Sequence, residues 1–260
     1  MDEKIVGVLR GLRTSLQIAF EPIDLLSRMV NNKKGYPPLW LRQKVGDLND
    51  FEGSGGEYVA YLKLLCNLKP GDKLLDIGCG CGLICLDITE GGSLLRYLGN
   101  NGGYEGVDID GKLISWCNRT IRKRYPISQF FLSPDGSMPN FYNYKFDVVL
   151  TKSLFTHLLE EETEGYLNGI KEVLRPGGRC LATFFLLNEM EPNGRYTFKF
   201  PDGKVAYERV TKKKAAVAYD EKWLLSLLKK MEFSVDIYYG SWRGNGKGLS
   251  FQDIVILRRS

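Results

Sequence analysis

The sequence predicts an α/β fold: a seven-stranded, mostly parallel sheet with helices on both faces and an antiparallel strand in its C-terminal hairpin. Three observations carry this. From residue 73 onward, short runs rich in Leu, Ile, Val and Phe alternate with segments of helical periodicity. The first run, Leu74-Leu75-Asp76-Ile77, passes straight into a glycine-rich turn, Gly78-Cys79-Gly80-Cys81-Gly82. The last two runs are separated by only 11 residues, Gly240 to Ser250, four of them glycine. A parallel crossover needs about a dozen residues or more, usually a helix, so this final pair is expected to be antiparallel.

The elements follow in order. Residues 1–32 are expected to be helical, because Ile5, Leu9, Leu12, Leu16, Ala19, Ile23, Leu26 and Val30 recur at spacings of four and three and form one apolar stripe. Pro22 divides or kinks that run. Residues 33–56, with Gly35, Pro37, Pro38, Gly46, Gly53, Gly55 and Gly56, read as loop, and a short helix over about 57–67 follows. Strands are expected at 73–78, 104–109, 129–133, 146–152, 179–187, 233–239 and 251–258, and helices at 82–98, 111–124, 160–174 and 220–231. The organisation is therefore an N-terminal helical cap and loop (1–56) and one main domain (57–260) carrying a cap insertion at about 188–219.

Composition narrows the class. With 43% hydrophobic and 26% charged residues the chain has the make-up of a soluble globular protein, and no stretch approaches the ~20 apolar residues needed to span a bilayer. Asp2, Glu3, Arg10 and Arg13 do not suit a secretory signal, so a cytoplasmic setting is expected. Of six cysteines, Cys79, Cys81 and Cys85 crowd the glycine turn at a spacing unlike that of zinc sites; they read as small buried thiols, with no metal site expected. The net charge of +5 is unevenly placed: residues 195–214 hold seven cations (Arg195, Lys199, Lys204, Arg209, Lys212, Lys213, Lys214) against Asp202 and Glu208. A solvated loop is the plain reading of such a segment, and a face toward an anionic substrate the functional one.

A strand running into Gly-x-Gly-x-Gly brings bare backbone against a ligand, and a helix after it offers unpaired N–H groups to an anion. That anion is pyrophosphate in a dinucleotide and a carboxylate in S-adenosylmethionine. Two details separate these. The spacing is G-x-G-x-G and not G-x-G-x-x-G, since position 83 is Leu83; and Asp76, just before it, would repel pyrophosphate but accept hydrogen bonds from an ammonium group. Asp76, Gly78, Cys79, Gly80 and Gly82 are thus candidate cofactor contacts. At the end of the second strand, Asp108 is the candidate for the ribose hydroxyls with Ile109 beside it, and Asp110 suits a helix N-cap better. Asp135 and Gly136, in the turn after the third strand, are candidates for the adenine edge.

Asp76-Ile77-Gly78-Cys79-Gly80-Cys81-Gly82, Gly106-Val107-Asp108, Phe146-Asp147-Val148-Val149 and Leu174-Arg175-Pro176-Gly177-Gly178 together resemble the ordered motifs of class I S-adenosylmethionine-dependent methyltransferases, in particular the broad small-molecule group that includes ubiquinone and menaquinone biosynthesis enzymes. The resemblance covers about 70–258. It implies a Rossmann-like fold, S-adenosyl-L-methionine as cofactor, and a segment after the fourth strand, Thr151 to His157, that passes beneath the transferable methyl. One departure is a longer first helix and loop, with Gly91-Gly92 and Asn100-Asn101-Gly102-Gly103.

The expected reaction is in-line transfer of a methyl group to a small-molecule acceptor, anionic or aromatic. Thr151 is a candidate cofactor contact and His157, the single histidine, the candidate general base; the alternative for His157 is a hydrogen-bonded residue at a helix start. Lys152 reads as a solvated charge. Specificity is expected from the covers over the site, including Arg42 as an anion contact and the aromatics Tyr196, Phe198, Phe200, Tyr207 and Tyr219 of the insertion, at least half of them read as core of a small antiparallel cap. Other readings are an RNA or protein methyltransferase using the basic segment, a non-catalytic cofactor-binding partner subunit, and a nucleotide oxidoreductase. The modest charge and the glycine spacing argue against a nucleic-acid partner and against the oxidoreductase. The chain is expected to be a monomer or homodimer.

Overall fold

Two sheets organise the chain. The computed structural model describes residues 19–31, 33, 35–46, 51–86, 94–136, 145–188, 194, 196–244 and 247–260. In order, its elements are helices α1 (Glu21–Val30), α2 (Leu39–Arg42) and α3 (Phe51–Leu65), strand β1 (Lys73–Ile77), α4 (Leu94–Leu98), β2 (Gly103–Asp108), α5 (Gly111–Cys117), β3 (Ser128–Leu132), β4 (Phe146–Thr151), α6 (Glu160–Val173), β5 (Leu174–Phe184), the short strands β6 (Leu186–Leu187), β7 (Phe200–Asp202), β8 (Val205–Tyr207) and β9 (Val217–Asp220), α7 (Glu221–Lys230), β10 (Phe233–Tyr238) and β11 (Asp253–Arg259).

The main sheet has seven strands in the order β10-β11-β5-β4-β1-β2-β3. β1 to β5 pair in parallel, and β11 runs antiparallel to both β5 and β10, as the short glycine-rich connection requires. Its central strands, β1, β2, β4 and β11, are buried on both faces, which is why they read as near-continuous apolar runs, whereas the edge strands β3 and β10 are partly exposed. Leu74, Val148, Leu150, Leu181 and Ile256 pack on one side with Leu62 of α3 and Ile114 of α5. Leu75, Ile77, Val149, Ala182 and Leu257 pack on the other with Leu167 and Ile170 of α6 and Leu228 of α7. Strand order reverses between β1 and β4, so a crevice opens beyond their carboxyl ends, the usual ligand position in such sheets.

The insertion builds a second sheet, β6-β9-β8-β7, antiparallel except for β6 against β9. The strand expected over 179–187 is therefore two: the chain leaves the main sheet after Phe184, and Phe185 packs with Ala216, Ala218 and Trp242 between the sheets.

Two further expectations need correction. Residues 33–56 are not all loop: α2 is one turn, and α3 starts at Phe51, taking Gly53, Gly55 and Gly56 into a helix that continues past residue 57. Glycine weakens a helix by about 1 kcal/mol per residue, but the buried side chains of Tyr58, Tyr61 and Leu62 hold this one against the core. Over 82–98 the described residues form only a 3₁₀ turn, Leu83–Cys85, and α4; Gly91 and Gly92 lie outside them. The helix expected over 111–124 is present across those residues, with a π-helical turn, Asn118–Arg122, within it. Residues 1–18, with Ile5, Leu9, Leu12 and Leu16, also lie outside the described residues. Pro22 sits in the first turn of α1, where its missing N–H leaves no bond unmade.

Candidate active site

Gly78, Gly80 and Gly82 have φ of 81°, 56° and 68°, a left-handed sequence that side chains rarely tolerate. The amides of Gly78 and Cys79 both donate to the Val107 carbonyl, at 2.8 and 3.0 Å, which ties the loop to the end of β2. Gly78, Cys79 and Gly80 line a cavity beyond the ends of β1, β2 and β4. Gly82 does not. A Cβ there would lie 2.5 Å from Ile121 Cδ1, so the space beside this glycine is taken by packing and not by the cavity. In the described residues the loop continues into a 3₁₀ turn, so it offers bare backbone and not the end of an α-helix. Burial pushes the Cys79 thiol well up and that of Cys81 to about 12, which makes neither a nucleophile at neutral pH.

Asp76 and Asp108 both line the cavity. Asp76 is 4% exposed, and the Tyr104 hydroxyl donates to its Oδ2 at 2.7 Å. Burial pushes its carboxyl up to about 7; the Tyr104 bond works against that, Asp108 adds to it and Lys152 opposes it. Asp108 is also raised by burial, and its oxygens accept from Gly80 N and Asp110 N, both at 2.8 Å, so it braces the glycine loop as well as facing the cavity. Asp110 caps α5 by accepting from Lys112 N at 2.8 Å and pairs with Lys44, as its N-cap reading predicts. Burial opposes ionisation of Asp110, yet these bonds hold its carboxyl below the usual range. Ile109, 65% exposed, and the turn Ser133 to Gly136 complete this wall. Ser133 N donates to Asp108 O at 2.9 Å, and the Tyr166 hydroxyl to Gly136 O.

The opposite wall begins where β4 ends. Strand alternation puts Leu150 and Lys152 at the cavity and turns the fully buried Thr151 to the other face, so Thr151 is not a lining residue. Lys152 lines the cavity with its ammonium 5.2 Å from the Tyr58 ring centroid, more than the solvated charge expected. Ser153 adopts φ 56°, held by Ser153 N donating to Thr183 Oγ1 at 2.7 Å and by its hydroxyl bonding Gln252 Oε1 at 3.1 Å. His157 is exposed at the cavity in the 3₁₀ turn Phe155–His157, and its Nδ1 lies 2.9 Å from the Lys214 carbonyl. A carbonyl only accepts, so Nδ1 carries a hydrogen, and in the neutral tautomer this selects the lone pair lies on Nε2. Tyr219 of β9 fixes this turn: its hydroxyl lies 2.6 Å from Phe155 O, 2.7 Å from Leu158 O and 2.8 Å from Thr163 Oγ1.

Arg42 is spent elsewhere, pairing with Asp24 and donating to Pro37 O at 2.9 Å, and does not line the cavity. The insertion's charge is partly neutralised locally, through Lys213–Asp202 at 2.8 Å and Lys214–Glu162 at 2.5 Å; Arg195 lies outside the described residues. Its aromatics are mostly structural: Tyr207 and Tyr219 are buried, Phe198 packs on Phe185 and Trp242, and Phe200 is exposed. Tyr196 both stacks in that cluster and reaches the cavity. Gln252 and Tyr166 went unremarked in the sequence, because each owes its place to tertiary packing of separate segments.

The cavity, about 1850 Å³, exceeds the roughly 300–1,000 Å³ of a single small-ligand pocket and has room for a cofactor and an acceptor together. A family model described as a methyltransferase domain matches residues 68–224, more than half of the chain. The chain belongs to this family: it carries a class I methyltransferase domain of Rossmann-like fold, dependent on S-adenosylmethionine. Among curated proteins it is similar to a sterol 24-C-methyltransferase of Schizosaccharomyces pombe, 31% identical over 131 residues, covering 49% of this chain and 32% of that protein. It is likewise similar to a probable cobalt-precorrin-6B C(15)-methyltransferase of Saccharolobus solfataricus, 32% identical over 123 residues, 46% of this chain and 56% of that one. The chain thus matches about a third and just over half of these relatives' lengths. Its fold is similar to that of a Burkholderia thailandensis 1,6-didemethyltoxoflavin-N1-methyltransferase solved with 1,6-didemethyltoxoflavin and S-adenosylhomocysteine, at TM-score 0.55 and 18% identity over 100% of this chain and 91% of that one.

Proposed function

We propose that the chain methylates a small-molecule acceptor, anionic or aromatic, held between the end of β4 and the insertion. The observation that carries this is the cavity's division into two chemically distinct walls. On one, bare backbone at Gly78 and Gly80 lies between the carboxylates of Asp76 and Asp108, with Ile109 exposed beyond them. That set suits a zwitterionic, ribose-bearing ligand: Asp76 for the ammonium, Asp108 for ribose hydroxyls, Ile109, Asp135 and Gly136 for the base. On the other wall Lys152, His157, Phe185 and Tyr196 offer cations and aromatic faces to an acceptor. Sterol, precorrin and toxoflavin-precursor acceptors of the similar proteins fit a small-molecule class.

S-adenosylmethionine supplies an already activated methyl group, so the chain's residues have to align the acceptor, exclude water and take a proton. Lys152 orients an anionic acceptor, and Phe185 and Tyr196 wall off solvent. His157 Nε2 takes the acceptor proton, while the Lys214 carbonyl on Nδ1 stabilises the imidazolium that results. The insertion and residues 1–56 act as the two covers, with α3 tying the N-terminal cap to the main domain across residue 57. Six free cysteines suit a reducing, cytoplasmic setting, and monomer or homodimer remains the reading of assembly.

Calorimetric titration with S-adenosylmethionine, S-adenosylhomocysteine and NAD, followed by a metabolite screen, tests the reading. Binding of the first two and not NAD is expected; stabilisation by NAD alone would overturn it. His157→Gln should lower kcat about 10²-fold or more with cofactor Kd unchanged, and a near wild-type rate across pH removes the base role.

A further inference from the structure

We propose that α1 docks this chain on an anionic lipid surface. An amphipathic helix of a water-soluble domain normally turns its apolar side to the core. α1 does the reverse. Arg28 is 7% exposed, donates to Tyr36 O at 2.9 Å and to Asp24 at 2.7 Å, and pairs with Glu21; Asp24 in turn takes Arg42. The charged face is thus used up holding the helix to the domain. Facing out are Phe20, Ile23, Leu26, Met29 and Val30, exposed by 54, 62, 62, 48 and 85%. Ile23, Leu26, Met29 and Val30, on about two turns of α1, with Phe20 at its N-cap, form a continuous patch, not scattered exposure. In the sequence the same four-three spacing of apolar residues runs back to Ile5, with Arg10 and Arg13 among them.

Charge beside the patch selects the occupant. Residues 111–127 contain five cations (Lys112, Arg119, Arg122, Lys123 and Arg124) and no carboxylate. Arg119, Arg122, Lys123 and Arg124 are exposed. The turn leaving α1 meets the end of this segment: Lys33 N donates to Arg28 O at 2.6 Å, and the Arg124 guanidinium comes up against Gly35. An outward apolar helix flanked by an all-basic segment matches acyl chains next to anionic headgroups. Two copies of this chain pairing symmetrically through α1 would instead bring basic cluster toward basic cluster. No helix among the described residues is long and apolar enough to cross a membrane, so the contact is one of lying on the surface.

The test is co-sedimentation of the full chain with phosphatidylcholine vesicles, with and without phosphatidylglycerol. Binding to the anionic vesicles, weakened by salt and by removal of phosphatidylglycerol, is expected. Ile23→Asp with Leu26→Asp should abolish it. Arg122→Ala with Lys123→Ala should weaken it about thirtyfold, at about 1 kcal/mol per cation lost. None of these residues lines the cavity, so S-adenosylhomocysteine affinity should stay unchanged and report an intact fold. Failure to bind anionic vesicles overturns the proposal. So does a concentration-dependent dimer, seen by sedimentation velocity, that Leu26→Asp dissolves without any vesicle binding, since it gives the face to a second copy.

Discussion

Replacing Tyr104 with Phe should convert a buried hydrogen bond into a shift in the pH dependence of cofactor binding. Tyr104 donates to Asp76 Oδ2 at 2.7 Å, and the Asp76 carboxyl, raised first by burial, sits at about 7 with that bond in place. If the ligand ammonium needs the ionised carboxylate, wild-type affinity rises about tenfold from pH 6 to pH 8 before the ligand's own titration intervenes. A hydrogen bond to a charged group is worth about 1.5–3 kcal/mol, or about 1–2 pKa units, so the variant's carboxyl should move to about 8–9. The ratio of variant to wild-type Kd cancels ligand ionisation. It should be about ten- to hundredfold at pH 6 and shrink to about twofold or less by pH 9. Calorimetry with S-adenosylhomocysteine at half-unit steps measures it, and thermal unfolding checks that both proteins remain folded. A ratio that is constant with pH would refute the reasoning, because a hydroxyl acting only in packing has no reason to follow a titration.

Asp76→Asn should weaken S-adenosylhomocysteine at least about tenfold at pH 8 yet raise the melting temperature of the free protein by a few degrees. The sign follows from the raised carboxyl: its contribution to stability is present below about pH 4 and lost as pH rises through about 7, so the variant's advantage should grow across that window. Gly82→Ala should cost about 2–4 kcal/mol in denaturant unfolding, since φ is 68° and the new Cβ meets Ile121, while Kd for the folded fraction stays within about threefold. Asp253→Ala should cost about 3–5 kcal/mol by the same measurement: this fully buried carboxylate accepts from Leu186 N and Trp242 Nε1 at 2.8 Å and Gly240 N at 2.7 Å, and Arg243 lies 3.5 Å away.

The main sheet was legible in the sequence because each of its determinants is local. Strands buried on both faces announce themselves as apolar runs, and the antiparallel end followed from chain length alone, Gly240 to Ser250 being too short for a crossover. Asp110 was readable as a cap because a cap bonds the next two or three residues. What escaped depended on contacts distant in sequence. Thr151 and Lys152 differ only in which side of β4 they face, and a run apolar on both sides gives no phase from which to choose. Gly82 looks like its neighbours Gly78 and Gly80 until Ile121 is brought against it. Glycines at 53, 55 and 56 signal a loop, yet packing of the α3 side chains overrides that propensity. Arg42 offered a free cation to the reader of the sequence and was already claimed by Asp24, 18 residues away.

On the reading proposed above, the same contrast separates donor from acceptor in the site itself. The donor wall is made by consecutive residues at the ends of β1, β2 and β3, braced by bonds such as Gly80 N to Asp108 that belong to the main sheet. The acceptor wall is assembled from Lys152 and Ser153 after β4, Gln252 before β11, and the insertion, none of which fixes the others without the tertiary fold. His157 stands at the seam. Its turn leaves β4, but Tyr219 and the Lys214 carbonyl, both in the insertion, hold it in place. Changes in the insertion should therefore alter acceptor choice and proton transfer together while leaving cofactor affinity alone. On the proposed reading, that coupling accounts for a motif series that specifies the methyl donor well and says little about what receives the methyl: the donor would be read by one strand-and-loop grammar, and the acceptor by whatever an inserted sheet leaves exposed beside His157.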